Sequence, residues 1–197
     1  MFSPVLRLLF RKNQGGWHKL SDIAQYVTER INYATIMPET YVSTDNMLQR
    51  CEGVTTYNGD PNIDSCIEYK KGDVLVSNIR PYLKKAWFAD RDGGCSPDVL
   101  VFRVLDMSKV IPEYLGVALK QNDFFDFMMQ GIKGMKMPRG DKAQILNYEV
   151  PVPSLLEQKR IVDEVAKYEM EIAKAKAIID SAPTRKQAIL RKYGIFV

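Results

Sequence analysis

The segment that most restricts the fold of this chain lies toward its C-terminal end. Ile161, Val165, Tyr168, Ile172, Ala175 and Ile179 step by 4, 3, 4, 3 and 4 residues. Apolar residues at that rhythm draw one narrow stripe along a helix, the seam of a coiled coil. Lys159 with Asp163, Arg160 with Glu164, and Lys167 with Glu171 place opposite charges one helical turn apart on the flanks. Such a stripe is too narrow for the interior of a large core and suits packing against a second long helix. The start of this helix is also marked. Val150-Pro-Val-Pro153 is extended, because proline restricts both itself and its predecessor. Ser154, with Glu157 three residues on, has the pattern of a capping box. Ser181-Ala-Pro-Thr184 is expected to end the helix, with Thr184 capping a last short helix through Arg191.

Upstream the pattern changes. Tyr41–Thr44, Asp73–Ile79, Leu83–Ala89 and Val99–Leu105 are short runs rich in Val, Ile, Tyr, Phe and Trp, as strands prefer. Turn residues break them at Asn58-Gly-Asp-Pro61, Lys71-Gly-Asp73, Arg80-Pro81 and Asp92-Gly-Gly94. Ser21 is expected to cap a short helix through Asp22–Val27. Pro112 suits a first helical turn, and Tyr114, Leu115, Ala118 and Leu119 continue at helical spacing. A second amphipathic stretch, Phe124–Met129, stops at Gly131. Lys133–Lys142 holds two glycines, a proline and four cations, the composition of a basic loop. The expected fold class is α+β. A mixed α/β domain with a twisted β-sheet fills 1–150, and a long coiled-coil helix fills 151–197.

Composition narrows the function classes. Of 197 residues 46% are hydrophobic, and mean hydropathy is −0.24, as in ordinary soluble domains. Met1–Phe10 is apolar, but its charges Arg11 and Lys12 follow the apolar run, the reverse of a secretory signal. An ordered or frayed N-terminal element and a cytoplasmic location are expected. The three cysteines, Cys51, Cys66 and Cys95, are odd in number and widely spaced. That pattern argues against a disulfide framework or a zinc site. A net charge of +4 permits nucleic-acid binding without requiring it.

Catalytic motifs are scarce. His18 is the only histidine, which leaves little room for imidazole chemistry or a histidine metal site. There is no P-loop and no G-x-G-x-x-G after a strand. The Asn/Asp-Pro-Pro-aromatic tetrad of amino-methyltransferases is also missing. Asp60, Glu68 and Lys70 offer a Glu-x-Lys pair with an upstream carboxylate, the minimum for a metal-dependent nuclease. The stronger lead is basic surface. Lys70, Lys71, Arg80, Lys84, Lys85 and Arg91 fall in one turn-rich region, and Lys133, Lys136, Arg139 and Lys142 in another. Asn78, Tyr82, Trp87, Met135 and Met137 are interleaved with them. Lys and Arg neutralise phosphates, while Arg and Asn also read base edges bidentately.

These residues resemble a known family. Trp17-His-Lys-Leu-Ser-Asp-Ile-Ala24, Tyr41-Val-Ser-Thr44, Gly72-Asp-Val-Leu-Val-Ser-Asn-Ile-Arg-Pro-Tyr-Leu-Lys-Lys85 and Gly94-Cys-Ser-Pro-Asp-Val-Leu-Val-Phe102 carry the likeness. So do Lys133–Lys142 and Val150-Pro-Val-Pro-Ser-Leu-Leu-Glu-Gln-Lys-Arg-Ile-Val162. Together they are similar to the specificity subunit of type I restriction-modification systems. The resemblance implies an α/β target-recognition domain followed by a long helix, occurring twice in a full-length subunit, with the two helices packed antiparallel. Each domain of such a subunit reads one half of a split DNA site. Modification subunits, which carry S-adenosylmethionine and methylate adenine, and ATP-using restriction subunits assemble around it. The specificity subunit itself holds no cofactor, metal or catalytic residue. One domain and one helix are present here, so a half-subunit or one half of a longer protein is implied, with a two-fold dimer and an interrupted palindrome as expectations.

The family has no fixed base-reading residue, so candidates rest on their chemistry. Arg80, Lys84 and Lys85 are expected to hold phosphates or a guanine, and Lys133, Lys136, Arg139 and Lys142 to form a second contact loop. Ser43, Thr44, Asn46 and Asn78 are candidates for base edges. Ile161, Val165, Tyr168, Ile172, Ala175 and Ile179 are the expected helix-packing seam. A DNA-reading module therefore stands beside two other readings, a small nuclease using Asp60, Glu68 and Lys70, and a coiled-coil adaptor with no nucleic-acid role.

Overall fold

The structure, a computed structural model, describes residues 15–132 and 137–195. The Met1–Phe10 segment, and Lys133, Met135 and Lys136 of the basic loop, lie outside them. In chain order the elements are β1 Gly16–Lys19, α1 Leu20–Ile23, β2 Ala24–Tyr26, β3 Arg30–Asn32, β4 Tyr41–Val42, β5 Ser65–Tyr69 and β6 Val74–Ser77. There follow β7 Ala86–Phe88, β8 Gly93–Cys95, β9 Val99–Val104, α2 Pro112–Leu119, α3 Asn122–Gln130, α4 Lys142–Ile145, β10 Glu149–Val152 and α5 Leu155–Lys192. The chain divides into two compact units, one running to Lys159 and one from Arg160. Among the described residues no helix is long and apolar enough to cross a membrane.

Two four-stranded sheets build the first unit. One has the order β2-β9-β6-β7, and the other β3-β5-β8-β4. All their pairings are antiparallel except β4 with β8. β6 reads Val-Leu-Val-Ser without alternation because both of its faces are covered. Leu75, level with Trp87 and Val101 on the neighbouring strands, joins Val42, Tyr69 and Cys95 of the other sheet in one core cluster. On the opposite face α2 and α3 cover the sheet. Phe102 meets Phe124 edge to face at 6.3 Å, and Phe124 meets Tyr148 at 5.1 Å. A Cβ added to Gly116 of α2 would stand 2.9 Å from the Phe88 ring, so glycine lets that helix approach β7.

Several local expectations meet stronger packing demands. Gly93-Gly94 is not a turn but the body of a central strand. A Cβ at Gly93 would lie 2.2 Å from the Thr40 carbonyl oxygen, and one at Gly94 2.3 Å from Cys66 Sγ. The glycines are there for close approach. Ser21 does not cap a helix through Val27. It lies inside the single turn α1, and the Asp22 carboxylate accepts the Lys19 N–H at 3.2 Å. β2 then pairs with β9, so sheet pairing overrides the local helix signal. Leu83 belongs to a single-turn 3-10 helix, Pro81–Leu83, and only Ala86–Phe88 forms the strand. Pro112 and Gly131 mark the helix ends as expected.

The long helix begins where the sequence places it. Glu157 N–H donates to Ser154 Oγ at 3.4 Å. It does not stop at Pro183. α5 is continuous over 38 residues, about 57 Å at ~1.5 Å per residue. Proline removes one backbone donor from an interior turn, and the Ser181 hydroxyl donates to the Ile178 carbonyl at 2.9 Å just before it. The seam lies open beyond its first turns. Tyr168 is 68% exposed, Ile172 55% and Ile179 67%.

One buried amide fastens the start of α5 into the first unit. Gln158 is fully buried. Its Nε2 donates to the Lys109 and Pro153 carbonyls at 2.7 and 2.8 Å, and its Oε1 accepts the Ile111 N–H at 3.0 Å. Beside it, the Tyr114 hydroxyl donates to the Pro151 carbonyl at 2.6 Å, and burial pushes its pKa up to about 12. Gln158→Leu fits the volume but strands three backbone groups. It is expected to cost about 2–4 kcal/mol, read as a lower urea midpoint at unchanged slope. A loss under about 0.5 kcal/mol would contradict this role.

Candidate nucleic-acid interface

The β6–β7 hairpin divides cations that the sequence runs together. Its register pairs Val74 with Phe88 and Val76 with Ala86, so residues 70–73 and 89–92 lie at one end and 77–85 at the other. The first end is neutralised. Lys70 pairs with Glu68 at 2.6 Å and approaches Asp92 at 3.8 Å, and Arg91 pairs with Asp90 at 2.6 Å. Arg91 also lies over the Trp87 ring, 5.6 Å from its centre. Arg80, Lys84 and Lys85 occupy the other end.

That end is joined to the second basic loop. Ile79 forms an antiparallel bridge with Arg139. Arg80 N–H donates to the Pro138 carbonyl at 2.8 Å, and Gly140 N–H to the Asn78 carbonyl at 3.2 Å. The two regions, joined by residues about sixty positions apart in sequence, thus form one surface. Arg80 and Arg139 are exposed on it. Arg139 pairs with Asp98 at 3.1 Å, an ion pair with both partners solvated and worth little by itself. Lys142 is exposed in the first turn of α4, which Asp141 caps by accepting the N–H groups of Ala143 and Gln144. Gly140 cannot be enlarged, since a Cβ there would lie 2.9 Å from both Asn78 Oδ1 and Ile145.

The polar candidates divide by burial. Asn46 is 6% exposed and both its amide protons are committed, to the Tyr41 and Thr55 carbonyls at 2.9 and 2.7 Å. Its Oδ1 accepts the Ser43 N–H at 2.7 Å. Ser43 is 7% exposed, and its hydroxyl accepts the Asp45 N–H. These two residues shape the loop after β4. Thr44 is half-buried, and its carbonyl accepts Lys85 Nζ at 2.6 Å, which ties Lys85 to that loop. Lys84 Nζ donates to Asn122 Oδ1 at 2.6 Å. Asn78 is buried, and its Oδ1 has no hydrogen-bond partner among the described residues.

Two cations that the local pattern passes over also belong to this end. Arg50 and Lys120 line an open cleft of about 450 Å³ with Gln49, Tyr82, Lys84 and Asn122. Arg50, Cys51, Arg80 and Lys84 all hold left-handed backbone, with φ of 56°, 56°, 51° and 51°, a strain of about 1–2 kcal/mol per non-glycine residue. No sequence signal marks these positions, because glycine and asparagine are the usual flags for such backbone. The 3-10 turns Gln49–Cys51 and Pro81–Leu83 are held to one another by Cys51, whose N–H donates to the Lys84 carbonyl at 2.8 Å.

The nuclease candidates do not assemble. Lys70 is paired with Glu68 at the neutralised end, and Asp60 accepts the Asn62 N–H within its own turn. Among the described residues no three His, Cys, Asp or Glu side chains converge on a metal position. The three cysteines are thiols outside any disulfide, and burial pushes Cys66 and Cys95 above the ordinary thiol range. His18 is exposed on β1.

Asn46→Ala is expected to lower unfolding stability by about 2–4 kcal/mol, because it strands three backbone groups. Arg80→Ala should change it by no more than about 0.5 kcal/mol. Equal losses in urea unfolding would contradict this division between loop-shaping and surface residues.

Comparison with known proteins places this geometry. The family model described as type I restriction modification DNA specificity domain matches residues 15–181. The type I restriction enzyme EcoDI specificity subunit of Escherichia coli is 26% identical over 156 residues, covering 78% of this chain and 34% of that protein. The crystal structure of the HsdS subunit from Thermoanaerobacter tengcongensis superposes with a TM-score of 0.63 at 22% identity, over 90% of this chain and 48% of that one. The type I restriction-modification S subunit from M. genitalium gives 0.61 at 14% identity, over 85% and 42%. A third structure, described for complex assembly and conformational transition of the type I R-M system, gives 0.65 at 22% identity, over 91% and 48%. The chain spans less than half the length of each of these relatives. With the family model covering nearly all of its described length, the chain belongs to the type I restriction modification DNA specificity domain family.

Proposed function

We propose that this chain reads a DNA sequence as the specificity component of a type I restriction-modification complex and carries no catalytic site of its own. The observation that supports this most is the joined cationic end of the first unit. Arg80 and Arg139 stand exposed on adjacent backbone, Arg139 in a solvated pair with Asp98, while the acidic side chains that neutralise Lys70 and Arg91 lie at the far end of the hairpin. A duplex presents a phosphate about every 1.7 Å of helix axis, so a cluster of exposed cations on rigid turns is positioned to set its register. Arg80 also has the fork geometry for a guanine edge. Lys142 extends the same surface in this reading, and the buried Asn78 joins its two halves through its backbone carbonyl.

S-adenosylmethionine and ATP belong, in this proposal, to the modification and restriction subunits that assemble around the chain in the cytoplasm. The seam Ile161, Val165, Tyr168, Ile172, Ala175 and Ile179, exposed from Tyr168 onward, takes a second long helix. A second copy of the chain supplies it, giving a two-fold dimer that reads an interrupted palindrome. The solvent exposure of Tyr168, Ile172 and Ile179 supports this, because an apolar stripe of that length is stable only when covered.

Two experiments test the reading. Arg80→Ala with Arg139→Ala should weaken duplex binding and lower the slope of log affinity against log salt by about 0.9 for each phosphate no longer neutralised. An unchanged slope removes the interface. In sedimentation, the wild-type chain should be dimeric and Val165→Asp with Ile172→Asp monomeric, since charge in such a seam is poorly tolerated. A wild-type monomer at high concentration removes the dimer.

A further inference from the structure

The cleft beside Tyr82 takes two of its three cations from outside both basic regions. Its cations come from three separate segments, Arg50 from the Gln49–Cys51 turn, Lys84 from the end of the 3-10 helix Pro81–Leu83, and Lys120 from the link between α2 and α3. No acidic side chain lines it among the described residues. Folding therefore gathers three like charges around one hollow whose walls carry no carboxylate, an arrangement that favours an anion as occupant.

The backbone supports the same conclusion. Of the five non-glycine residues with positive φ among the described residues, three line this cleft, and Arg80 begins the turn that carries Tyr82. Strained backbone persists where surrounding structure enforces it, and it clusters at ligand sites. Here Cys51 ties both turns together through its N–H and Sγ contacts to the Lys84 carbonyl, at 2.8 and 3.3 Å. Tyr82, 51% exposed, offers a ring at the rim. The volume of about 450 Å³ is more than a bare phosphate fills and falls within the range of small-ligand sites.

We propose that this cleft is a second DNA contact, in which Arg50, Lys84 and Lys120 hold a phosphodiester of the strand that passes the Arg80–Arg139 surface, with the sugar against Tyr82. The proposal rests on the DNA-recognition reading and adds to it a backbone clamp in which Arg50 and Lys120, from outside the two basic regions, join Lys84.

The test uses the full chain and a labelled 30-base-pair duplex of arbitrary sequence, because phosphate contacts do not depend on sequence. Affinity is measured against salt for wild type, Arg50→Asn with Lys120→Gln, and Lys70→Gln with Arg91→Gln. Asparagine tolerates left-handed backbone, so the first pair preserves the turn. The expected result is a salt slope lower by about 1–2 in the first pair and unchanged in the second. Lysine acetylation of the wild-type chain, read by mass spectrometry, needs no variant. Duplex should protect Lys84 and Lys120 and leave Lys70 reactive. If wild type binds duplex with normal salt dependence but the first pair keeps the full slope, or Lys120 stays reactive, the clamp is wrong and the DNA reading survives. If wild type shows no salt-dependent retention, both fall together.

Discussion

The β6–β7 hairpin is the constraint on which the rest of the first unit depends. Covered on one face by the second sheet and on the other by α2 and α3, it has no freedom of register. A slip of one residue would turn Leu75 out of its cluster and drive Val74 and Val76 into the wrong layer. With register fixed, the hairpin ends are fixed. One collects Lys70 and Arg91 beside acidic partners, and the other presents Arg80, Lys84 and Lys85. The bridge from Ile79 to Arg139 then attaches the second basic loop to the same end. Buried apolar packing thereby decides which cations are gathered at the joined end and which lie beside acidic partners.

Much of this is legible in the sequence, and the failures have a common cause. The capping pattern at Ser154 and Glu157, the helical spacing from Tyr114 to Leu119, and the apolar strand Val99–Val104 are local signals, and the structure follows them. Gly93-Gly94, Ser21 and Pro183 carry equally clear local signals that are overridden. At Gly93 the decisive neighbour is Thr40, more than fifty residues away. At Ser21 it is the pairing of the following residues with β9. At Pro183 the helix simply continues through a residue that removes only one donor.

The same distinction runs through the candidate site. Arg80 and Arg139 are plain as cations, but their adjacency depends on a bridge between distant segments. Asn46 and Ser43 have the chemistry of base readers, yet their burial and hydrogen bonds give them to the loop after β4. Residue type alone does not separate those roles. Arg50 and Lys120 carry no motif at all, and only the meeting of three segments gives them a shared cleft. In this chain, the framework follows local pattern while the joined cationic surface is made by tertiary contact.

The central claim is that duplex DNA lies against the end of the first unit where Ile79 meets Arg139. Amide hydrogen exchange of the full chain together with the modification subunit proposed as its partner, with and without a duplex containing the methylation target, tests it most directly. Slowed exchange should appear in 78–85 and 137–142, with 70–73 and 89–92 unchanged. Protection confined to 70–73 and 89–92, with 78–85 exchanging as in the absence of DNA, would contradict the account.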